Sequence, residues 1–313
     1  MKNALLQEPS AFTRLNLLLA LSRTPHLMLD LATPGLAALL CLGTFPTPDV
    51  LMLGLITAFA GYTAVYALND IIDYRVDRET VQLERVPDSK KDLDSIFVRH
   101  PLAQELLTYR AAWIWTIGWA SLATVGAFIL NPICPVIFLA ASLLEVVYCY
   151  LLKITCLRSI VSGVVKTSGP LAAAFAVNPS PPLPFLIILF TWLFFWEIGG
   201  QNVPNDLSDW ESDRNIRART IPVQFGKKKS MLMIGVSLSI VLIMSLAVFW
   251  TLPNPPGYLY LPGALLSGYY FLLLPCYSLF RGEPSDESFH LFNQASYYPL
   301  AMLFVTILSW SVR

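Results

Sequence analysis

Long apolar runs, broken by short polar or proline-rich stretches, recur from one end of the chain to the other. Nine are long enough to cross a bilayer as helices: about residues 26–44, 50–68, 111–130, 132–152, 159–177, 183–203, 231–252, 257–280 and 291–312. Proline and glycine mark the breaks, at Pro46 and Pro48, Pro132 and Pro135, Pro179 to Pro184, and Pro253 to Gly257. The expected fold is therefore an all-α membrane protein, a nine-transmembrane-helix bundle with a central cavity capped by loops. Residues 1–313 form one integral-membrane domain. Glu8 and Arg14 interrupt the N-terminal stretch, so it does not read as a cleavable signal. Residues near 10–22 read as a short helix lying at the membrane interface.

Composition agrees with this picture. The 313 residues are 55% hydrophobic and 13% charged, far from the usage of water-soluble domains. The net charge is zero, which gives no electrostatic case for binding nucleic acid. Five cysteines, Cys41, Cys134, Cys149, Cys156 and Cys276, lie mostly in apolar runs without a C-x-x-C pair and read as packing residues.

Charge also orients the bundle. Basic residues collect in the N-terminal segment and in the links after spans two and six, whereas the links after spans one, three, five and seven have no lysine or arginine. The positive-inside rule places the N-terminus and the even-numbered links in the cytoplasm, in the plasma membrane if the source is a prokaryote.

Two polar stretches stand out where spans two and six end. Asn69-Asp70-Ile71-Ile72-Asp73-Tyr74-Arg75-Val76-Asp77-Arg78 and Asn205-Asp206-Leu207-Ser208-Asp209-Trp210-Glu211-Ser212-Asp213-Arg214 both read N-D-x-x-D-x-x-x-D-R. On helices, 69, 73 and 77 share one face, as do 206, 209 and 213. Like charges at this spacing repel, so a cation is expected against each stripe. Oxygen ligands without His or Cys nearby favour a hard ion, Mg²⁺ before Zn²⁺. One acidic helix end is often only a solvated boundary, but two copies with one spacing are not explained that way. Mg²⁺ characteristically bridges carboxylates to substrate phosphates, and an apolar bundle beneath suits a hydrocarbon tail. The combination suggests a lipid-tailed diphosphate.

At these residues the sequence resembles the UbiA superfamily of intramembrane prenyltransferases. The resemblance runs from Arg23-Thr24-Pro25 to the last span and includes Thr220-Ile221-Pro222-Val223 and Gly226 after the second motif. It implies that Asp73, Asp77, Asp209 and Asp213 are catalytic, holding Mg²⁺ together with Asn69, Asp70 and Asp206. It also implies that Arg23 and Lys153 touch the diphosphate. Family members commonly follow the first motif with Arg-Pro and a glycine-bearing turn; this chain has Arg85-Val86-Pro87-Asp88-Ser89-Lys90-Lys91 instead. The acceptor is left open by that departure.

Other polar groups fall inside spans, where they are costly and tend to be paired or functional. Glu197, Asn202 and Asn205 form a polar face ahead of the second motif, and with Tyr66 and Tyr148 are candidate cavity lining. Asp30, Glu145 and Lys166 are expected to pair with one another or with motif arginines, while His26, His100 and His290 look incidental. The expected activity is Mg²⁺-dependent transfer of a prenyl group from a polyprenyl diphosphate donor to an aromatic or other lipophilic acceptor. The alternatives are a terpene cyclase of the same family and a cation- or proton-coupled transporter. The motif repeat suggests two related halves.

Overall fold

The computed structural model describes residues 11–83, 97–252 and 254–312, and these contain helices without strands. The segment Arg85 to Lys91, where the sequence departs from the family pattern, lies outside the described residues. A first helix, α1 (Ala11–Leu21), corresponds to the expected interfacial segment. It is followed by α2 (Thr24–Asp30) and α3 (Ala32–Leu42), which together form a nearly continuous apolar rod. Arg23, with φ of 45°, makes the sharp turn between α1 and α2, and Gly43, with φ of 70°, ends α3. Such left-handed backbone is natural for the glycine and strained for the arginine.

The next helix, α4 (Pro48–Leu83), begins on a proline whose missing N–H costs nothing in the first turn. Its 36 residues make a rod of about 54 Å, well beyond a hydrocarbon core of about 30 Å. Span two therefore does not stop near residue 68. The helix carries straight through the first Asp motif and out of the apolar layer. After the 97–108 loop come α5 (Tyr109–Leu130), α6 (Ile133–Leu151), α7 (Arg158–Val177) and α8 (Leu183–Trp196).

Beyond α8 the helix widens. Residues Glu197–Asn202 form a π turn, followed by α9 (Val203–Ser208), a break at Asp209, and α10 (Trp210–Asn215). Short α11 (Ile221–Phe225) leads into α12 (Lys227–Ala247), and α13 (Tyr260–Gly268), a second π turn (Tyr269–Leu273), α14 (Leu274–Leu279) and α15 (Pro284–Ser311) complete the chain. Both π turns run into a proline, Pro204 or Pro275. Proline cannot donate to the ladder, and its ring crowds the carbonyl four residues back. The wider turn accommodates both effects.

Among the described residues, eight helices are long and apolar enough to cross a membrane. The stretch near 257–280, helical as α13, a π turn and α14, is not among these eight, so the expected count of nine is not reached. The outward faces are apolar, with Ile114, Phe128, Leu143 and Leu266 well exposed. Surface of that kind needs lipid around it, and the chain is a multi-pass integral membrane protein.

A large cluster of buried apolar side chains lies between α8, α12, α13 and α15. Trp192, Trp196, Tyr260 and Tyr298 are fully buried there, and their polar atoms have partners. Trp196 Nε1 donates to the Ala295 carbonyl at 3.0 Å, Trp192 Nε1 donates to Tyr298 Oη at 3.2 Å, and Tyr260 Oη donates to the Ser245 carbonyl at 2.9 Å. Burial of large rings with satisfied polar tips makes this half a rigid wall. The helices α2 to α7 close around the other side and leave a cavity against it.

Candidate active site

The cavity has a volume of about 880 Å³. Asn69, Asp73 and Asp77 reach it from α4, at i, i+4 and i+8, so the helical period alone puts them on one face. Asn205, Asp206, Asp209 and Asp213 reach it from α9, α10 and the break between them. The second stripe is thus not a single helix face. Asp209 has φ of −96° and ψ of 15°, and this kink turns α10 across the cavity mouth. Arg219 ties the following turn down by donating its backbone N–H to the Leu152 carbonyl at 2.7 Å.

Away from the carboxylates the lining becomes apolar and small. Gly35, Ala38, Gly54, Ala58, Gly61 and Ala176 line it, leaving a slot suited to a hydrocarbon chain. The two ends of the cavity therefore differ in chemistry: hard oxygen ligands at one, dry apolar wall at the other.

Asp70 is the member of the first motif that does not line the cavity. It is buried behind the stripe, with Arg23 Nη2 at 3.5 Å and His100 Nδ1 at 3.9 Å from its Oδ1. His100, set aside from sequence, comes in on the 97–108 loop and lies 3.0 Å from Asp77 Oδ2. Asp70, Asp77 and His100 bring one ligand atom each within 4.8 Å of one another, so a histidine does stand beside the carboxylates. Burial works against the His100 imidazolium, but Asp77 and then Asp70 outweigh it and hold the group above its ordinary pKa. Burial pushes the Asp213 carboxyl up to about 6, the Asp209 charge adding to the effect and the Thr220 hydroxyl, donating at 2.9 Å, opposing it.

The bases are arranged differently from expectation. Arg23 lines the cavity. Lys153 does not: its side chain is 39% exposed, and its ammonium donates to Glu79 Oε2 at 2.6 Å on the outer side of the wall. Arg158, five residues later, is the base that faces in. It is 7% exposed and lines the cavity. Its position as the first residue of α7 is the physical reason, since the link after α6 carries Lys153 past the rim before the chain turns back.

Tyr66, Tyr148, Glu197, Asn202 and Asn205 all line the cavity as expected. Asp30 and Lys166 are each other's partners, with Nζ to Oδ2 at 2.6 Å, and Tyr66 donates to the same carboxylate. Glu145 does not reach a motif arginine and instead accepts from Asn69 Nδ2 at 2.7 Å. His26 also lines the cavity and stacks on Phe292 with ring centres 5.5 Å apart.

The UbiA prenyltransferase family profile matches residues 31–297, a range that holds both Asp motifs and every helix from α3 to the first half of α15. The chain belongs to the UbiA prenyltransferase family. Solved structures share the UbiA fold. A UbiA homologue from Aeropyrum pernix K1, solved in its apo form, superposes with a TM-score of 0.73 at 17% identity, covering 90% of this chain and 97% of that one. A UbiA homologue from Archaeoglobus fulgidus, bound to DMAPP and Mg²⁺, gives 0.67 at 16% identity, covering 95% and 99%. A digeranylgeranylglyceryl phosphate synthase gives 0.65 at 18% identity, covering 96% and 98%. No curated protein matches the chain by sequence. Within this UbiA-family chain, the cavity is also lined by Arg158 and His100, which neither the Asp motifs nor the family resemblance singles out. The signal for Arg158 was its place at the head of a span; for His100 there was none, because a long link hides where its residues return.

Proposed function

We propose that the chain transfers a prenyl group from a polyprenyl diphosphate to a lipophilic acceptor. The observation that supports this is the meeting of both Asp motifs at one end of a cavity whose other end is small and apolar. The donor set fits Mg²⁺: carboxylates predominate, and Asp206 Oδ2 is buried without a hydrogen-bond partner. Asp73, Asp77, Asp206, Asp209 and Asp213, with Asn69, would hold the ion, which the solved relative from Archaeoglobus fulgidus binds together with DMAPP. Bound Mg²⁺ supplies a Lewis acid that offsets the charge gathering on a departing diphosphate.

The chain's own groups complete the site. Arg158 and Arg23 bind the diphosphate oxygens at the cavity rim; Lys153, expected in that role, pairs with Glu79 and does not line the cavity. The narrow apolar slot receives the isoprenoid tail and keeps water from the allylic carbon once its C–O bond weakens. Tyr62 and Tyr66 line the same cavity, and aromatic rings there favour a cation. The positive-inside rule favours a cytoplasmic N-terminus and cytoplasmic motifs, where soluble diphosphate can leave.

The test is incubation of purified protein and Mg²⁺ with a panel of prenyl diphosphates and cell extract, with products read by mass. A prenylated acceptor and released diphosphate are expected. Hydrocarbon formed from the diphosphate alone would point to cyclisation, and ion uptake into proteoliposomes without diphosphate release would point to transport.

A further inference from the structure

The π turn at Glu197–Asn202 sits in the cavity wall, just ahead of the second Asp motif along the same helical run. In an α-helix a residue five positions on lies far round the cylinder from the first. Closing the ladder i→i+5 brings it back over the first. Glu197 and Asn202 are such a pair, and both face the cavity. The back of the turn is fixed: a Cβ at Gly199 would stand 2.6 Å from Ser237 Cβ, and one at Gly200 would stand 3.0 Å from Ala295 Cβ. Only glycines allow the turn to press so closely on α12 and α15 while its front is presented inward.

That front carries unmatched oxygens. Glu197 is 6% exposed and Asn202 is 7% exposed. Ser162 Oγ donates to Glu197 Oε1 at 2.6 Å, and Asn202 Nδ2 donates to Tyr148 Oη at 3.1 Å. Glu197 Oε2 and Asn202 Oδ1 are buried with no hydrogen-bond partner. Buried acceptors left open in this way are costly. The nearby Lys166 ammonium is already engaged by Asp30 and Tyr66.

We infer that Glu197 and Asn202 form the acceptor subsite, and that the acceptor is a neutral molecule whose hydroxyl groups donate to these two oxygens. The proposal rests on the prenyl-transfer reading above and adds the class of second substrate. A carboxylate or phosphate head is disfavoured, because Glu145 and Glu197 line the cavity and the Lys166 ammonium beside them is already engaged by Asp30 and Tyr66. A neutral molecule with two hydroxyl groups, one donating to each open oxygen, satisfies both without bringing a charge into a dry site.

The test uses the purified full chain in nanodiscs with geranyl diphosphate and Mg²⁺. Diphosphate release is followed against concentration for a matched pair of probes, 4-hydroxybenzyl alcohol and 4-hydroxybenzoate, while donor binding is measured separately. The wild type should respond to the neutral phenol with a KM about tenfold below that for the benzoate. Glu197→Gln should raise the phenol KM about tenfold and narrow the preference, with donor binding unchanged as the control for folding. Equal responses to the two probes, a preference for the benzoate, no response to either, or a phenol KM unmoved in Glu197→Gln each overturn the subsite; the last means that water alone satisfies these oxygens. Failure of the wild type to bind the donor with Mg²⁺ would instead remove the prenyl-transfer reading, and the subsite with it.

Discussion

The Arg158 guanidinium carbon lies 4.1 Å from the centre of the Tyr148 ring. Stacking on an aromatic face holds a planar cation without using its N–H groups. Arg158 Nε is buried and has no hydrogen-bond partner, so the fork has donor capacity to offer an anion. Arg158→Ala should therefore raise the donor KM by roughly tenfold to a hundredfold, the range for losing hydrogen bonds to a charged group. Lys153→Ala removes only a rim pair with Glu79 of the exposed kind that contributes little, and donor KM should stay within about twofold. Initial-rate kinetics on both variants distinguish the two bases. Equal losses would return Lys153 to the diphosphate site.

Asp73, on α4, and Asp209, at the break between α9 and α10, both line the cavity. Substituting either should leave an insertable protein that no longer releases diphosphate in a metal-dependent way. Asp73→Asn and Asp209→Asn keep side-chain volume and remove one charge each. Turnover should fall by roughly a hundredfold or more, since loss of even an outer-shell partner weakens a metal site 10–100-fold. Chelation of divalent ions should do the same to the wild type, with recovery on adding Mg²⁺. Near-wild-type diphosphate release by both variants would count against carboxylate-held metal.

The motifs could be read from sequence because their spacing matches the helical period and because they end apolar runs. What could not be read is how each helix end is bent. Asp206, Asp209 and Asp213 look like one stripe only if the helix continues through them, and the break at Asp209 divides it. The division of the stretch near 257–280 follows from Pro275, which the apolar pattern does not register. Lys153 and Arg158 are both plausible from residue type, and only the position of the α6–α7 turn decides which faces inward. His100 is brought to Asp77 by a loop with no periodicity to follow.

Lys166 and Asp30 form a pair deep between α2 and α7, with side chains 14% and 3% exposed. Removing one partner of a buried pair leaves the other charge without compensation, which typically costs about 3–5 kcal/mol. Lys166→Met should lower the thermal unfolding midpoint in detergent substantially. Adding Asp30→Asn should recover a large part of the loss, because the double change removes both charges together. Additive losses in the double variant would mean that the two residues do not depend on each other.

Gly199 and Gly118 lie in helical segments but have opposite surroundings. A Cβ on Gly199 would meet Ser237 Cβ at 2.6 Å and the Ile234 carbonyl oxygen at 3.2 Å, whereas one on Gly118 would meet nothing within 4 Å. The first contact includes backbone, which cannot move aside without shifting α12. Gly199→Ala should destabilise the protein by about 1–3 kcal/mol, as overpacking does. Ser237→Gly, introduced with it, relieves the nearer clash and should restore part of that loss. Gly118→Ala fills open space on a helix and removes the backbone freedom of glycine, which should stabilise by about 0.4–1 kcal/mol. Thermal unfolding of the three variants checks the pair of signs. A neutral Gly199→Ala would mean that the π turn is not pinned between α12 and the cavity, and that Glu197 is free to turn away from it.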